Sequence, residues 1–270
     1  MNSIDEKQQV HEFWNEASCG EALYLSGSDR SGFEAQSIAR YQLEPYILDF
    51  AQFASCKGKK VLEIGVGLGA DHQKFAEAGA ELYGIDLTDR AITHTSNRLA
   101  CFGLRSQLSA GDAENLTFPD GTFDVVYSWG VLHHSPDTPK AIAEVLRVLK
   151  PSGVARIMIY HTWSMIGLML WIRYAMLRGR PLTSMKAIYS RYLESPGTKA
   201  YSIREAERLF HNYSSADIRT VLTHGDLLES HAGQRHQGTL LSIARKIWPR
   251  WLIRRLCPNA GLFMLIEARK

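Results

Sequence analysis

The stretch VLEIGVGLGA, Val61 to Ala70, reads as a short buried strand running into a glycine-rich turn. Gly65, Gly67 and Gly69 stand where a strand hands over to a helix, so backbone N–H groups and a helix N-terminus can approach a charged nucleotide ligand. Ala70 also completes the dinucleotide pattern GxGxxG/A with Gly65 and Gly67, so the loop alone admits two classes of nucleotide. Asp86, 21 residues after Gly65, suits a ribose diol in either case. Glu63 separates them: a carboxylate where dinucleotide folds carry an apolar side chain favours a cationic ligand and repels pyrophosphate.

Outward from this loop, residues 58–161 alternate strand-like runs with helical patterns, which predicts a parallel sheet with helices on both faces. The strands are KVLEIG, ELYGID (Glu81 to Asp86), QLSAGD (Gln107 to Asp112), FDVVYSW (Phe123 to Trp129) and GVARIMIYH (Gly153 to His161). Ile142, Val145, Leu146 and Leu149 recur at helical spacing, and Lys150 and Pro151 read as a cationic last turn and a breaker. Residues 1–57 read as a helical, aromatic cover and residues 162–200, rich in Trp, Met, Tyr and Arg, as a helical insertion over the sheet's edge that caps the substrate site. Residues 201–270 resume the fold: Ser202 and Glu205 form a capping box before IREAERLF, and strands DIRTVLTH and GLFMLIEA follow, separated by a long basic connection at 225–260.

Composition limits the alternatives. A chain of 270 residues with 45% hydrophobic and 22% charged residues is an ordinary globular one, and a net charge of +3 selects neither nucleic acid nor a small anion. Cys19, Cys56, Cys101 and Cys257 form no CxxC pair, so neither a zinc site nor a disulfide framework is expected and a reducing, cytoplasmic setting is the default. The polar start MNSIDEKQQVHEFWNE lacks the blocks of a secretion signal, and the longest apolar run, Trp163 to Ile172, falls short of the roughly 20 residues that cross a bilayer.

VLEIGVGLG, GIDLT, GDAENLTFPDGTFDVVYSWGVLHH and AIAEVLRVLKPSGVARI together resemble the class I S-adenosylmethionine-dependent methyltransferases over residues 58–161. The resemblance implies a Rossmann-like α/β fold, a seven-stranded mostly parallel sheet with an α-helical cap, and S-adenosyl-L-methionine as cofactor. It places Glu63, Gly65, Gly67 and Gly69 around the methionine part, Asp86 on the ribose with Leu87 against the adenine, Asp112 and Ala113 at the adenine, and Ser128 near the methionyl end. The family's final antiparallel strand pair is matched by DIRTVLTH and GLFMLIEA, although a short connection is usual between them.

Methyl transfer from a sulfonium needs alignment and desolvation first and a base only where the acceptor carries a proton. His133, beside His134 after the fourth strand, and His161 after the fifth are the base or substrate-contact candidates. Tyr24, Arg40 and Tyr41 are substrate-binding candidates, and Met165, Leu168, Met169, Trp171, Ile172 and Met176 supply apolar lining. His224, Asp226, His231 and His236 cluster without a recognised metal spacing, so no metal is expected. The basic aromatic run around Arg245, Lys246, Trp248, Arg250, Trp251, Arg254 and Arg255 is a candidate for peripheral contact with anionic lipid. The expected function is methylation of a small or lipophilic metabolite, oxygen before carbon. RNA methylation (which here lacks an RNA-binding module), S-adenosylmethionine sensing without turnover and nicotinamide-dependent oxidoreduction are the alternatives.

Overall fold

A computed structural model of the chain describes residues 3–229, 246 and 248–270, with side chains from Asp5 onward. Strands β1 (Lys60–Ile64), β2 (Glu81–Asp86), β3 (Gln107–Ala110), β4 (Phe123–Trp129), β5 (Leu149–Tyr160), β6 (Ser215–Val221) and β7 (Phe263–Arg269) form one seven-stranded sheet in the order β3-β2-β1-β4-β5-β7-β6. The first five are parallel, and β7 runs antiparallel between β5 and β6. This is the Rossmann-like, mostly parallel sheet with a terminal antiparallel pair that the sequence predicts. The order reverses at β1 and β4, so their carboxyl ends open a crevice, the usual ligand position in such sheets.

Both faces of the sheet are covered, which is why its central strands read as unbroken apolar runs. Leu62, Ile64, Val126 and Ile157 face the helix Thr138–Val148, packing against Ile142, Val145 and Val148. Val61, Val125, Tyr127 and Met158 face the opposite layer, where Ile47 and Phe50 of the cover and Leu170, Ile188 and Tyr189 of the insertion join one core. The cover comprises α1 (Ser3–Glu16), α2 (Glu21–Tyr24), α3 (Arg30–Leu43) and α4 (Tyr46–Ala51). After α5 (Ala70–Glu77), α6 (Asp89–Phe102) and α7 (Thr138–Val148), the insertion supplies α8 (Met165–Tyr174) and α9 (Met185–Tyr192). It therefore lies on a face of the sheet rather than over an edge, because its apolar side chains are buried against β5 and β7. Then follow α10 (Ile203–Leu209), which carries the expected capping box, and α11 (Arg250–Leu256).

One boundary differs from expectation. α7 ends at Val148, and Leu149 already pairs with Phe123, so Lys150 and Pro151 belong to the bulged start of β5. The physical reason is that proline forces its predecessor out of the helical region, and Phe123 offers Leu149 a strand partner. His231, His236 and Arg245 lie outside the described residues.

Candidate functional site

The glycine loop is built for close approach. Gly65 has φ +85° and a Cβ there would lie 2.1 Å from Val131 Cγ2; Gly69 has φ +76° and a Cβ would lie 2.8 Å from Thr95 Oγ1. Gly67, at φ +52°, has nothing within 4 Å on its Cβ side, and that open face belongs to a cavity of about 710 Å³. Gly67 N–H donates to Asp86 Oδ2 at 3.2 Å, while Thr88 N–H and Oγ donate to Oδ1 at 3.0 and 2.9 Å. Burial pushes the Asp86 carboxyl up, against these bonds. A pair of vicinal hydroxyls would offer this half-buried acceptor further donors. Gly65, Gly67, Gly69, Asp86 and Leu87 all line the cavity.

Beneath the loop lie two carboxyl groups of opposite state. Glu63 is buried, with Oε2 2.8 Å from His72 Nδ1, and His72 Nε2 lies 2.8 Å from Ser106 Oγ. The Ser106 hydroxyl gives its proton to the Leu82 carbonyl at 2.8 Å, so it accepts from His72 Nε2–H. His72 Nδ1 is then the acceptor and Glu63 the donor. Burial drives both groups to that neutral form, raising Glu63 well above the carboxylate range and pulling His72 down to about 3. The sequence reading of Glu63 as a bare negative charge is thereby corrected: burial keeps it neutral, and it donates to His72, nine residues on in the first turn of α5. Asp71 keeps its charge. Although burial opposes ionisation, it is held below the usual range by bidentate Arg40 (Nε to Oδ1 2.9 Å, Nη2 to Oδ2 2.6 Å), Tyr127 at 2.8 Å and Tyr41 at 3.0 Å. Its place in the first turn of α5 puts a carboxylate where a dinucleotide's pyrophosphate would need the helix N-terminus free.

At the β3 end, Asp112 and Ala113 line the cavity, and the Asp112 carboxylate is fully engaged. Oδ1 accepts from Glu114 N–H at 2.9 Å, and Oδ2 takes Lys7 Nζ at 2.6 Å; the same ammonium reaches Glu114 Oε2 at 2.7 Å. α1 is thus fastened across this end of the cavity, a contact 105 residues away in sequence that no local pattern announces. α1 also supplies Trp14, whose ring meets His134 edge-on at 5.3 Å.

The far end of the cavity joins polar and apolar walls. His134, Tyr160, Glu194 and Glu44 line it together with Met169, Ile172, Leu177, Leu228 and Trp248. Thr198 donates its hydroxyl to the Ser195 carbonyl at 2.7 Å, so toward His134 Nδ1, 3.2 Å away, it accepts. Ser195 Oγ stands 2.8 Å from the same nitrogen. His134 Nε2 lies 3.4 Å from Glu194 Oε2, buried and without a hydrogen-bond partner. Tyr160 donates to Glu194 at 2.7 Å, and burial pushes the Glu44 carboxyl up to about 7.

Several residues expected at the site sit behind it. His133 is fully buried against Tyr160 and His134, at ring distances of 3.9 and 4.2 Å, with neither nitrogen partnered, and does not line the cavity. His161 is buried 3.2 Å from the Gly261 carbonyl, and Ser128 donates to the Ile64 carbonyl at 3.0 Å; both hold backbone rather than face the cavity. Tyr41 is turned to Asp71, Arg40 lines the cavity with its guanidinium spent on Asp71 and Glu44, and Tyr24 lines it half-buried. Asp226 is likewise structural, accepting from the N–H groups of Thr223, Ile166 and Leu262. Lys7, Trp14, Asp71, Glu44, Tyr160 and Glu194 were not identified from sequence; the only local signal was the aromatic and acidic character of the segments that carry them.

Comparison with known proteins agrees with this architecture. Residues 62–157 match the family model described as a methyltransferase domain. Over 159 residues the chain is 31% identical to a sterol 24-C-methyltransferase of Eremothecium gossypii, covering 56% of this chain and 42% of that protein. Over 122 residues it is 35% identical to a fatty-acid O-methyltransferase of Mycolicibacterium smegmatis, covering 44% and 43%. The chain thus spans less than half the length of these curated relatives. Among solved structures, Haemonchus contortus phospholethanolamine N-methyltransferase 2 superposes with a TM-score of 0.62 at 15% identity over 97% of this chain and 60% of that one. An S-adenosylmethionine dependent methyltransferase of Mesorhizobium loti gives 0.54 at 18% identity over 80% and 92%; at such identities the likeness is one of fold.

Proposed function

Residues 62–157 belong to the class I S-adenosylmethionine-dependent methyltransferase family, and from that premise we propose that the chain methylates a small lipophilic acceptor, at oxygen before carbon. The carrying observation is one cavity that runs from the open face of Gly67 and the half-buried Asp86 carboxyl to an apolar wall with His134 at the junction. S-adenosylmethionine, when bound, supplies an electrophilic sulfonium methyl. Gly65, Gly67 and Gly69 let backbone approach it, Asp86 accepts from its ribose hydroxyls, Leu87 and Ala113 pack at the adenine, and Asp112 with Lys7 closes that end.

The acceptor occupies the space between His134 and the wall of Met169, Ile172 and Leu177. Apolar lining excludes water there, and the pair of His134 and Glu194, 3.4 Å apart on that wall, serves a hydroxyl on the acceptor as its proton sink. His134 thus takes the role the sequence suggested for His133 or His161. The relatives named for sterols and fatty acids support an acceptor of lipophilic character.

The test incubates the purified protein with methyl-labelled cofactor and a cell extract, then partitions the label. It is expected in the organic-soluble fraction, with His134→Gln slowing transfer roughly 100-fold. Label in RNA or protein, or binding of S-adenosylhomocysteine with no transfer to any fraction, overturns the proposal.

A further inference from the structure

Charge along the chain is segregated in a way the cavity does not require. Residues 162–193 carry Arg173, Arg178, Arg180, Lys186 and Arg191 and no carboxylate, and residues 246–266 carry Lys246, Arg250, Arg254 and Arg255 and no carboxylate, in a chain whose net charge is only +3. The same two segments hold much of the exposed apolar surface: Leu177 is 66% exposed, Leu182 98%, Trp251 73% and Leu256 66%. Such side chains on a water-facing surface are costly unless something covers them.

The two segments converge. Asp226 receives Ile166 N–H through its carboxylate and Trp248 Nε1–H through its carbonyl, which ties the start of α8 to the chain entering α11. Arg173 and Arg178 both lie over the Tyr174 ring, at 5.2 and 5.0 Å, so neighbouring cations are held side by side. Leu177 and Arg173 are at once exposed and part of the cavity lining, and half-buried Trp248 lines it too, so this surface surrounds one mouth of the cavity.

We propose that this face, formed by α8, the loop through Leu182, and α11, docks on an anionic lipid bilayer surface. Apolar side chains among cations, of which only Arg254 is paired to a carboxylate (Glu229, 2.5 Å) among the described ion pairs of these segments, match the headgroup boundary of such a membrane, and no helix among the described residues is long and apolar enough to cross it, so the contact is peripheral. Docking sets the cavity mouth against the bilayer, which lets a lipophilic acceptor pass from membrane to site without crossing water; that use rests on the acceptor reading above, whereas the docking itself rests on charge and exposure.

The full chain is co-sedimented with phosphatidylcholine vesicles, with and without phosphatidylglycerol. Binding is expected to the mixed vesicles alone and to fall with added salt. Arg178→Glu with Arg180→Glu weakens it by more than about thirtyfold, the factor expected from the loss of two cations alone before the added repulsion of two carboxylates, and Leu182→Glu and Trp251→Glu also weaken it. S-adenosylhomocysteine binding by these variants, followed by calorimetry, is unchanged. No sedimentation with mixed vesicles, equal sedimentation with both kinds, variants that bind like the parent, or salt-sensitive binding to RNA in place of vesicles each overturns the docking proposal. Loss of cofactor binding by the parent protein overturns the functional reading instead, so the two failures are distinguishable.

Discussion

Gly67 and His133 show how single residues divide between ligand and scaffold. Gly67 touches nothing on its Cβ side, so Gly67→Ala costs stability only the left-handed strain of a non-glycine residue, roughly 1–2 kcal/mol. It also puts a methyl group into the cavity, and calorimetry should find S-adenosylhomocysteine binding weakened by about tenfold or more. Gly65→Ala, with a Cβ 2.1 Å from Val131, should instead fail at folding. His133 is buried without a partner, and burial first, then His134 and Lys199, pull its pKa well below the ordinary value. The unfolded chain therefore binds a proton that the folded chain refuses, and stability is lost as pH falls below about 6.5. His133→Phe removes that liability, so its advantage in denaturant midpoint over the parent protein should grow from about pH 7.5 to about pH 5, by up to roughly 1.4 kcal/mol per pH unit. A constant difference across that range contradicts the assignment. The residue type at position 133 was legible, but which of two adjacent histidines faces the cavity depends on the turn after β4 and on Ser195 and Thr198, some 60 residues on.

At the scale of elements, the strands and the helices between them follow from periodicity, while the cover is placed by charged contacts that have no local signature. Arg40 of α3 grips Asp71 of α5 through two nitrogens, and Tyr127 of β4 and Tyr41 complete the shell. Arg40→Met leaves a buried carboxylate without its counter-charge and should lower unfolding free energy by about 3–5 kcal/mol in urea titrations; a loss below 1 kcal/mol means the pair is not held as described. Lys7 is weaker because it is partly exposed, and each of its bonds to Asp112 and Glu114 is worth about 1 kcal/mol or less. Lys7→Met should therefore leave the melting temperature nearly unchanged yet raise the dissociation constant of S-adenosylhomocysteine by about three- to tenfold, since α1 closes over that end of the cavity. Unchanged affinity would separate α1 from cofactor retention.

For the whole molecule, the cavity draws its walls from the cover, the strand ends, the insertion and the chain leading into α11, so a ligand there couples all four. At a concentration 100 times its dissociation constant, S-adenosylhomocysteine should add about 2.7 kcal/mol and raise the melting temperature by roughly 5–10 °C, with NAD giving no shift; the reverse pattern would reinstate a dinucleotide. The sequence by itself determined the strands and their order along the chain, the glycine turn and the Asp86 carboxyl beside it, because these depend on period, on backbone conformation and on residues within one strand-helix unit, while the full seven-stranded sheet with its antiparallel pair was implied by the family resemblance. Tertiary structure alone decided that Glu63 is held neutral by burial against His72, that Arg40 belongs to Asp71, that Lys7 and Trp14 close the two ends of the cavity, and that His134 rather than His133 lines it. Those outcomes turn on burial and on partners up to about a hundred residues apart, and a side chain's charge, proton and direction are set by what surrounds it in space, which a linear pattern does not contain.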